Sequence, residues 1–188
     1  MHGEGISLRN SNEKTQPIDT YNGHSTLVFG DLIKKIIDKN NYKTLLDYGS
    51  GKGDIYFNQT KYGEKIYPPL KDYWNIKQTL FDPGIKKLKK PTNKSFDITI
   101  SIDVLEHIPV QDLHWVLNEI FVFSSKAVFI NVACYAASAL LPNGKNAHVS
   151  VFNPDWWSGF IYSIAHNYNV KVFLVCTKKT PKTKFYNF

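Results

Sequence analysis

Leu45-Leu46-Asp47-Tyr48-Gly49-Ser50-Gly51-Lys52-Gly53-Asp54 is the stretch on which the fold turns. Residues 43–48 form a short apolar run that enters a turn with glycine at every second position, and the residues beyond it can open a helix. Strand, turn and helix make the first half of a βαβ unit. In an open α/β sheet, ligands bind beyond the carboxyl ends of the strands, where glycines admit close backbone approach and helix amides face an anion. Gly49, Gly51 and Gly53 meet that need, although glycine also serves ordinary tight turns, so the neighbours must decide.

Upstream, Val28-Phe29, Leu32-Ile33 and Ile36-Ile37 recur every four positions, which predicts a helix over 25–39 with Ser25 as its cap. Gly30 inside that helix costs about 1 kcal/mol relative to alanine. Residues 1–24 read as an arm or lid, polar and aperiodic over most of their length. Downstream, a second strand ends at Leu80-Phe81, with Asp82-Pro83-Gly84 as the turn beyond it. Asp82 there can accept both hydroxyl protons of a ribose, or simply start the turn. A third clear strand covers Phe96–Ile102. Leu113, Val116, Leu117, Ile120 and Phe121 then keep helical spacing, and 127–132 is a buried strand. An irregular stretch over 134–151 leads to a helix over 154–166 and a last strand over 170–176.

This alternation predicts one α/β domain over 1–188, a Rossmann-like three-layer sandwich with a mostly parallel sheet and helices on both faces. The length of 188 residues suits one core. No apolar run reaches the roughly 18 residues of a membrane span, and residues 1–5 lack the blocks of a signal peptide, so a cytoplasmic chain without membrane insertion is expected. Cys134 and Cys176 sit among apolar residues and read as free thiols. The formal charge of +7 attracts polyanions, but nearly all of it is lysine, with Arg9 the sole arginine. Base readout favours arginine's fork, so Lys86-Lys87-Leu88-Lys89-Lys90 and the lysines of the tail read first as solvated surface.

At Asp47-Tyr48-Gly49-Ser50-Gly51-Lys52-Gly53 the chain resembles the class I S-adenosylmethionine (SAM)-dependent methyltransferases, whose first motif is an acidic residue before a G-x-G-x-G turn. The run Phe96-Asp97-Ile98-Thr99-Ile100-Ser101-Ile102-Asp103-Val104-Leu105-Glu106-His107-Ile108-Pro109 is similar to the family's fourth-strand segment. The resemblance implies SAM as cofactor, with Asp47, Gly49, Ser50, Gly51 and Gly53 at its methionine end, Asp82 at the ribose, and the edge from Ser101 through Asp103 to Val104 at the sulfonium. It also implies a vestigial third strand, because too little chain separates Asp82 from Asp97, and no room for a long terminal hairpin. A Rossmann dehydrogenase fits less well, since the glycines are not spaced G-x-G-x-x-G and no second dinucleotide half follows.

Asp103-Val104-Leu105-Glu106-His107 resembles the E-x-x-E-H segment of metal-using O-methyltransferases, with aspartate for the first glutamate, and His148 is a counterpart for the later histidine of the RNA enzyme among them. The resemblance makes Glu106, His107 and His148 the catalytic set and the ligands of a divalent metal, with Asp103 a fourth candidate. His107 or His148 as proton acceptor, or as packing only, are the other readings. The exocyclic-amine motif N/D-P-P-Y/F is missing; Tyr67-Pro68-Pro69-Leu70 and Asn153-Pro154-Asp155-Trp156 stand at the wrong points. The expected reaction is methyl transfer to a small hydroxylated acceptor, of sugar or envelope-precursor type. RNA 2′-O-methylation and a non-catalytic SAM-binding partner are the alternatives. Residues 134–157 are the expected acceptor pocket, with Trp156-Trp157 as a stacking surface or as core, and Tyr21 and His24 as closing residues. His24, His114 and His166 otherwise read as structural or exposed.

Overall fold

The computed structural model describes residues 7–8, 22–92, 95–179 and 183–188. In chain order the elements are β1 (Ser7–Leu8), α1 (Gly30–Asn40), β2 (Thr44–Tyr48), β3 (Thr60–Tyr62), β4 (Lys65–Tyr67), α2 (Leu70–Trp74), β5 (Lys77–Phe81), β6 (Phe96–Ile102), α3 (Val110–Val122), β7 (Ser124–Ala133), β8 (Ala139–Leu140), α4 (Pro154–Ala165), β9 (Lys171–Thr177) and β10 (Lys184–Asn187). One sheet of order β5-β2-β6-β7-β9-β10 organises them. Its first five strands are parallel, and β10 closes the far side antiparallel to β9.

Strand side chains alternate between faces, and that alternation builds two cores on the one sheet. Leu46, Val128, Ile130 and Leu174 pack with Leu113, Leu117 and Ile120 of α3 and with Trp157 and Ile161 of α4. Leu45, Ile98, Ile100, Phe129 and Val175 pack on the opposite face with Ile33, Ile36 and Ile37 of α1 and with Leu70 and Trp74 of α2. Helices therefore cover both faces of a mostly parallel sheet, the Rossmann-like three-layer arrangement. Among the described residues between β5 and β6 there is no strand, so β5 is an edge and the shortened third strand of the sequence reading is absent from the sheet.

Two expectations need correction. Gly30 does not sit inside a helix over 25–39: His24–Phe29 is a 3₁₀ turn, and α1 starts at Gly30. Close packing explains the break, since a Cβ on Gly30 would stand 3.1 Å from the Tyr67 ring, and the Trp74 indole donates to the Gly30 carbonyl at 2.9 Å. The helix expected after the glycine turn shrinks to a 3₁₀ turn, Asp54–Tyr56, followed by the β3–β4 hairpin. Ile55 and Tyr56 are buried there, with Tyr56 edge-on to Trp74 at 5.8 Å, and Gly63 and Pro68-Pro69 suit a hairpin and a stop. Hence no long helix points its amides at the glycine turn. The pairing of β1 with β8, the hairpin, α2 and β10 went unread in the sequence, being two to five residues each. No helix among the described residues is long and apolar enough to cross a membrane.

Lys86, Lys87, Lys89 and Lys90 are exposed on the irregular segment after Asp82. Lys90 pairs with Glu119 of α3, which also accepts the Tyr48 hydroxyl at 2.6 Å.

Candidate functional site

The chain leaves β2 for β5 on one side and later returns to β6 on the other, so the order reverses beside β2. A reversal of this kind opens a crevice at the carboxyl edge of the sheet. Three segments meet there: the glycine turn after β2, Asp82 after β5, and residues 103–107 after β6.

The glycine turn is tied down by backbone. Gly49 and Ser50 both donate their N–H to the Phe81 carbonyl, at 2.8 and 3.1 Å. Gly49, Gly51 and Gly53 have φ of 86, 57 and 69°, a region other residues enter at a cost. Two of them also lack room for a Cβ, which would stand 2.4 Å from a Val104 methyl at Gly49 and 2.4 Å from a Leu80 methyl at Gly53. Asp82 joins the two loops, accepting from Gly51 N at 2.9 Å and from Gly84 N at 2.8 Å. Ser50 is buried and its hydroxyl donates to the Gly51 carbonyl at 3.3 Å. Asp47 lies beneath the turn, 2% exposed, and accepts the Tyr56 hydroxyl at 2.8 Å. Burial pushes its carboxyl up to about 7; the Tyr56 hydrogen bond opposes this and the charge of Asp82 adds to it.

The second cluster presents its atoms outward. Asp103 is exposed, sits at φ 59°, and accepts the Ser25 hydroxyl on Oδ2 at 2.9 Å. Ser25, read as a helix cap, is spent on this contact instead. His107 Nδ1 lies 2.9 Å from the Ala147 carbonyl, and His148 Nδ1 lies 2.6 Å from the Tyr135 carbonyl. A carbonyl only accepts, so both Nδ1 atoms carry the proton and both Nε2 atoms keep a lone pair. The two rings stand perpendicular with centroids 4.7 Å apart. Burial holds the His107 imidazolium below the usual range; Asp103 pulls the other way, and the neighbouring His148 reinforces the burial.

Asp103, His107 and His148 bring one ligand atom each within 4.8 Å of one another. Glu106 is not in that set. It is fully buried on the inner side of the turn, with Oε1 accepting the Ala133 N–H at 2.5 Å and Oε2 without a hydrogen-bond partner. Burial drives its carboxyl far above the ordinary range, and the adjacent Asp103 charge adds to the shift.

Asn146 escaped the sequence reading. Its Oδ1 accepts from Ala137 N and His148 N at 2.9 and 3.0 Å, and its Nδ2 donates to the Ala137 carbonyl at 2.8 Å. This side chain folds the loop over 134–150 so that His148 meets His107. An asparagine mimicking backbone inside a Gly/Asn-rich segment was the available signal. The loop is also pinned to the β6 side, where Ser150 N donates to the Glu106 carbonyl at 3.0 Å.

The remaining candidates fall elsewhere. Trp157 is core, while half-buried Trp156 stacks between Phe152 at 3.9 Å and Phe160 at 5.0 Å. His24 and His166 are exposed, and His114 is exposed beside Asn118. Tyr21 lies outside the described residues. Both cysteines are free, Cys176 buried and Cys134 half-buried at the start of the loop. No family model, curated protein or solved structure matches the chain.

Proposed function

We propose that the protein is a SAM-dependent O-methyltransferase for a small hydroxylated acceptor of sugar or envelope-precursor type. The observation that carries this reading is the meeting, on one sheet edge, of the glycine turn with Asp82 and of the Asp103–His107–His148 cluster. The turn offers three left-handed glycines and two carboxylates beside the order reversal, a donor set that suits an amino-acid nucleoside. SAM bound there supplies an electrophilic methyl on a sulfonium. Asp82, at the end of β5, would face the ribose, and Ser50 with Gly49 and Gly51 would line the methionine end.

The second cluster suits a divalent cation, because both imidazoles are locked in the Nε2-ligating tautomer by carbonyls behind them. A cation held by Asp103, His107 and His148 supplies a Lewis acid that lowers the pKa of an acceptor hydroxyl. The same two Nε2 lone pairs accept that proton if no cation is required. Glu106 serves from within: anchored to Ala133 N, it fixes the start of the turn that carries His107.

Two measurements test the reading. Calorimetry with SAM should show binding by the wild type and none by Gly51→Val; no heat from the wild type defeats the cofactor. Labelled methyl transfer to cell-derived metabolites and RNA, with and without chelator, tests the rest. Label entering RNA alone removes the small acceptor, and chelator-insensitive turnover removes the metal.

A further inference from the structure

The segment before α1 touches both halves of the site. Gly23, at φ 82°, lies so close to the glycine turn that a Cβ there would stand 3.1 Å from the Ser50 carbonyl oxygen. Two residues later the Ser25 hydroxyl donates to Asp103 Oδ2 at 2.9 Å, a contact spanning 78 positions of sequence. Thr26 N donates back to the Gly23 carbonyl at 3.0 Å, so residues 23–26 form one tight turn rather than two independent contacts. Downstream, buried Leu27 and Phe29 seat the same turn in the α1-side core.

Asp103 needs such a partner. It occupies the left-handed region, which costs a non-glycine residue roughly 1–2 kcal/mol, and aspartate is among the few side chains that go there. An exposed carboxylate on a short stem also keeps several orientations. A hydroxyl donor on Oδ2 removes most of them and leaves Oδ1 as the oxygen not held by Ser25. The imidazoles are already fixed by Ala147 and Tyr135, which makes Asp103 the one member of the cluster without a backbone anchor on its side chain among the described residues.

We propose that Ser25 is a positioning residue, whose hydroxyl sets the Asp103 carboxylate in the orientation that completes the Asp103–His107–His148 ligand set, and that the Gly23–Ser25 turn couples this set to the glycine turn. This rests on the metal and cofactor reading given above and adds to it a link between the two ends of the site. Because coupling free energies are reciprocal, a ligand that orders the glycine turn strengthens cation binding, and a bound cation strengthens that ligand by the same factor.

The test is Mn²⁺ binding to the purified full chain, by calorimetry and by water-proton relaxation, with and without S-adenosylhomocysteine. Loss of a group that orients a metal ligand typically costs 10–100-fold in affinity. Ser25→Ala should therefore bind Mn²⁺ about 10-fold more weakly, and Ser25→Thr, which keeps the hydroxyl, should stay within roughly threefold of wild type. S-adenosylhomocysteine should tighten Mn²⁺ binding to wild type and leave Ser25→Ala unchanged. Melting temperatures confirm that both variants are folded, and Asp103→Asn marks full loss of the ligand. Wild-type affinity in Ser25→Ala, while Asp103→Asn is weakened, overturns the role of Ser25 and spares the metal reading. Failure of Ser25→Thr to restore binding overturns the hydroxyl as the cause. Equal Mn²⁺ affinity of wild type with and without bound S-adenosylhomocysteine overturns the coupling. If wild type does not bind Mn²⁺ at all, the metal reading fails and this inference with it.

Discussion

The two halves of the sheet edge handle their polar groups in opposite ways. At the glycine turn, Asp47 and Asp82 are 2% and 7% exposed and are occupied by a phenol and two backbone amides. At the second cluster, Asp103 is exposed and each imidazole uses one nitrogen on a carbonyl while holding the other ready. The first half uses carboxylates to hold the shape of loops; the second uses loops to hold the orientation of side chains. Substitutions should therefore damage folding in the first half and chemistry in the second.

The sharpest break of that contrast is His107→Ala. On the proposed reading it lowers methyl transfer by about 10²–10⁴-fold, the usual share of a positioned acid–base or metal-binding group, while the melting temperature moves by only a few degrees. Equal loss of stability and activity would erase the distinction between the halves. Gly49→Ala is the mirror experiment. A methyl placed 2.4 Å from Val104 at a left-handed φ should cost about 3 kcal/mol in denaturant unfolding, and Val104→Ala should recover part of it. Tyr56→Phe comes next, at about 1–3 kcal/mol, because it leaves buried Asp47 without its donor.

A further test is a pH dependence. Asp47 ordinarily titrates near 3.8 and is raised to about 7 in the fold. The folded state thus binds the extra proton between those values, and the associated stability is fully present below about 4 and lost as pH rises through 7. Melts between pH 5 and 8 should show wild type losing more stability than Asp47→Asn. A parallel pair of curves would place Asp47 outside this account.

The sheet strands were legible because their apolar runs are long and bounded by turn residues; Phe96–Ile102 matches its expected limits, β5 ends at Phe81 as expected, and β9 lies one residue from its expected limits. Local signals failed where tertiary contacts decided. Gly30 looks like a mild defect in a helix and is instead the point where Tyr67 and Trp74 approach the backbone. Ser25 looks like a cap, and its hydroxyl is claimed by a residue 78 positions away. In the site, Asp103, His107 and His148 were all named from the sequence, but the resemblance ranked Glu106 above Asp103. Only the turn Leu105–His107, which carries Glu106 inward against Ala133, separates them.

The shortened sheet has a consequence for solubility. Among the described residues no strand pairs with the outer side of β5, the kind of border along which sheets from separate molecules fuse. The strand is five residues long, opens with exposed Lys77, and is followed by the exposed lysines 86, 87, 89 and 90. Two copies approaching border to border would each present Lys77 there. The exposed lysine that opens β5 thus acts as a guard on that margin.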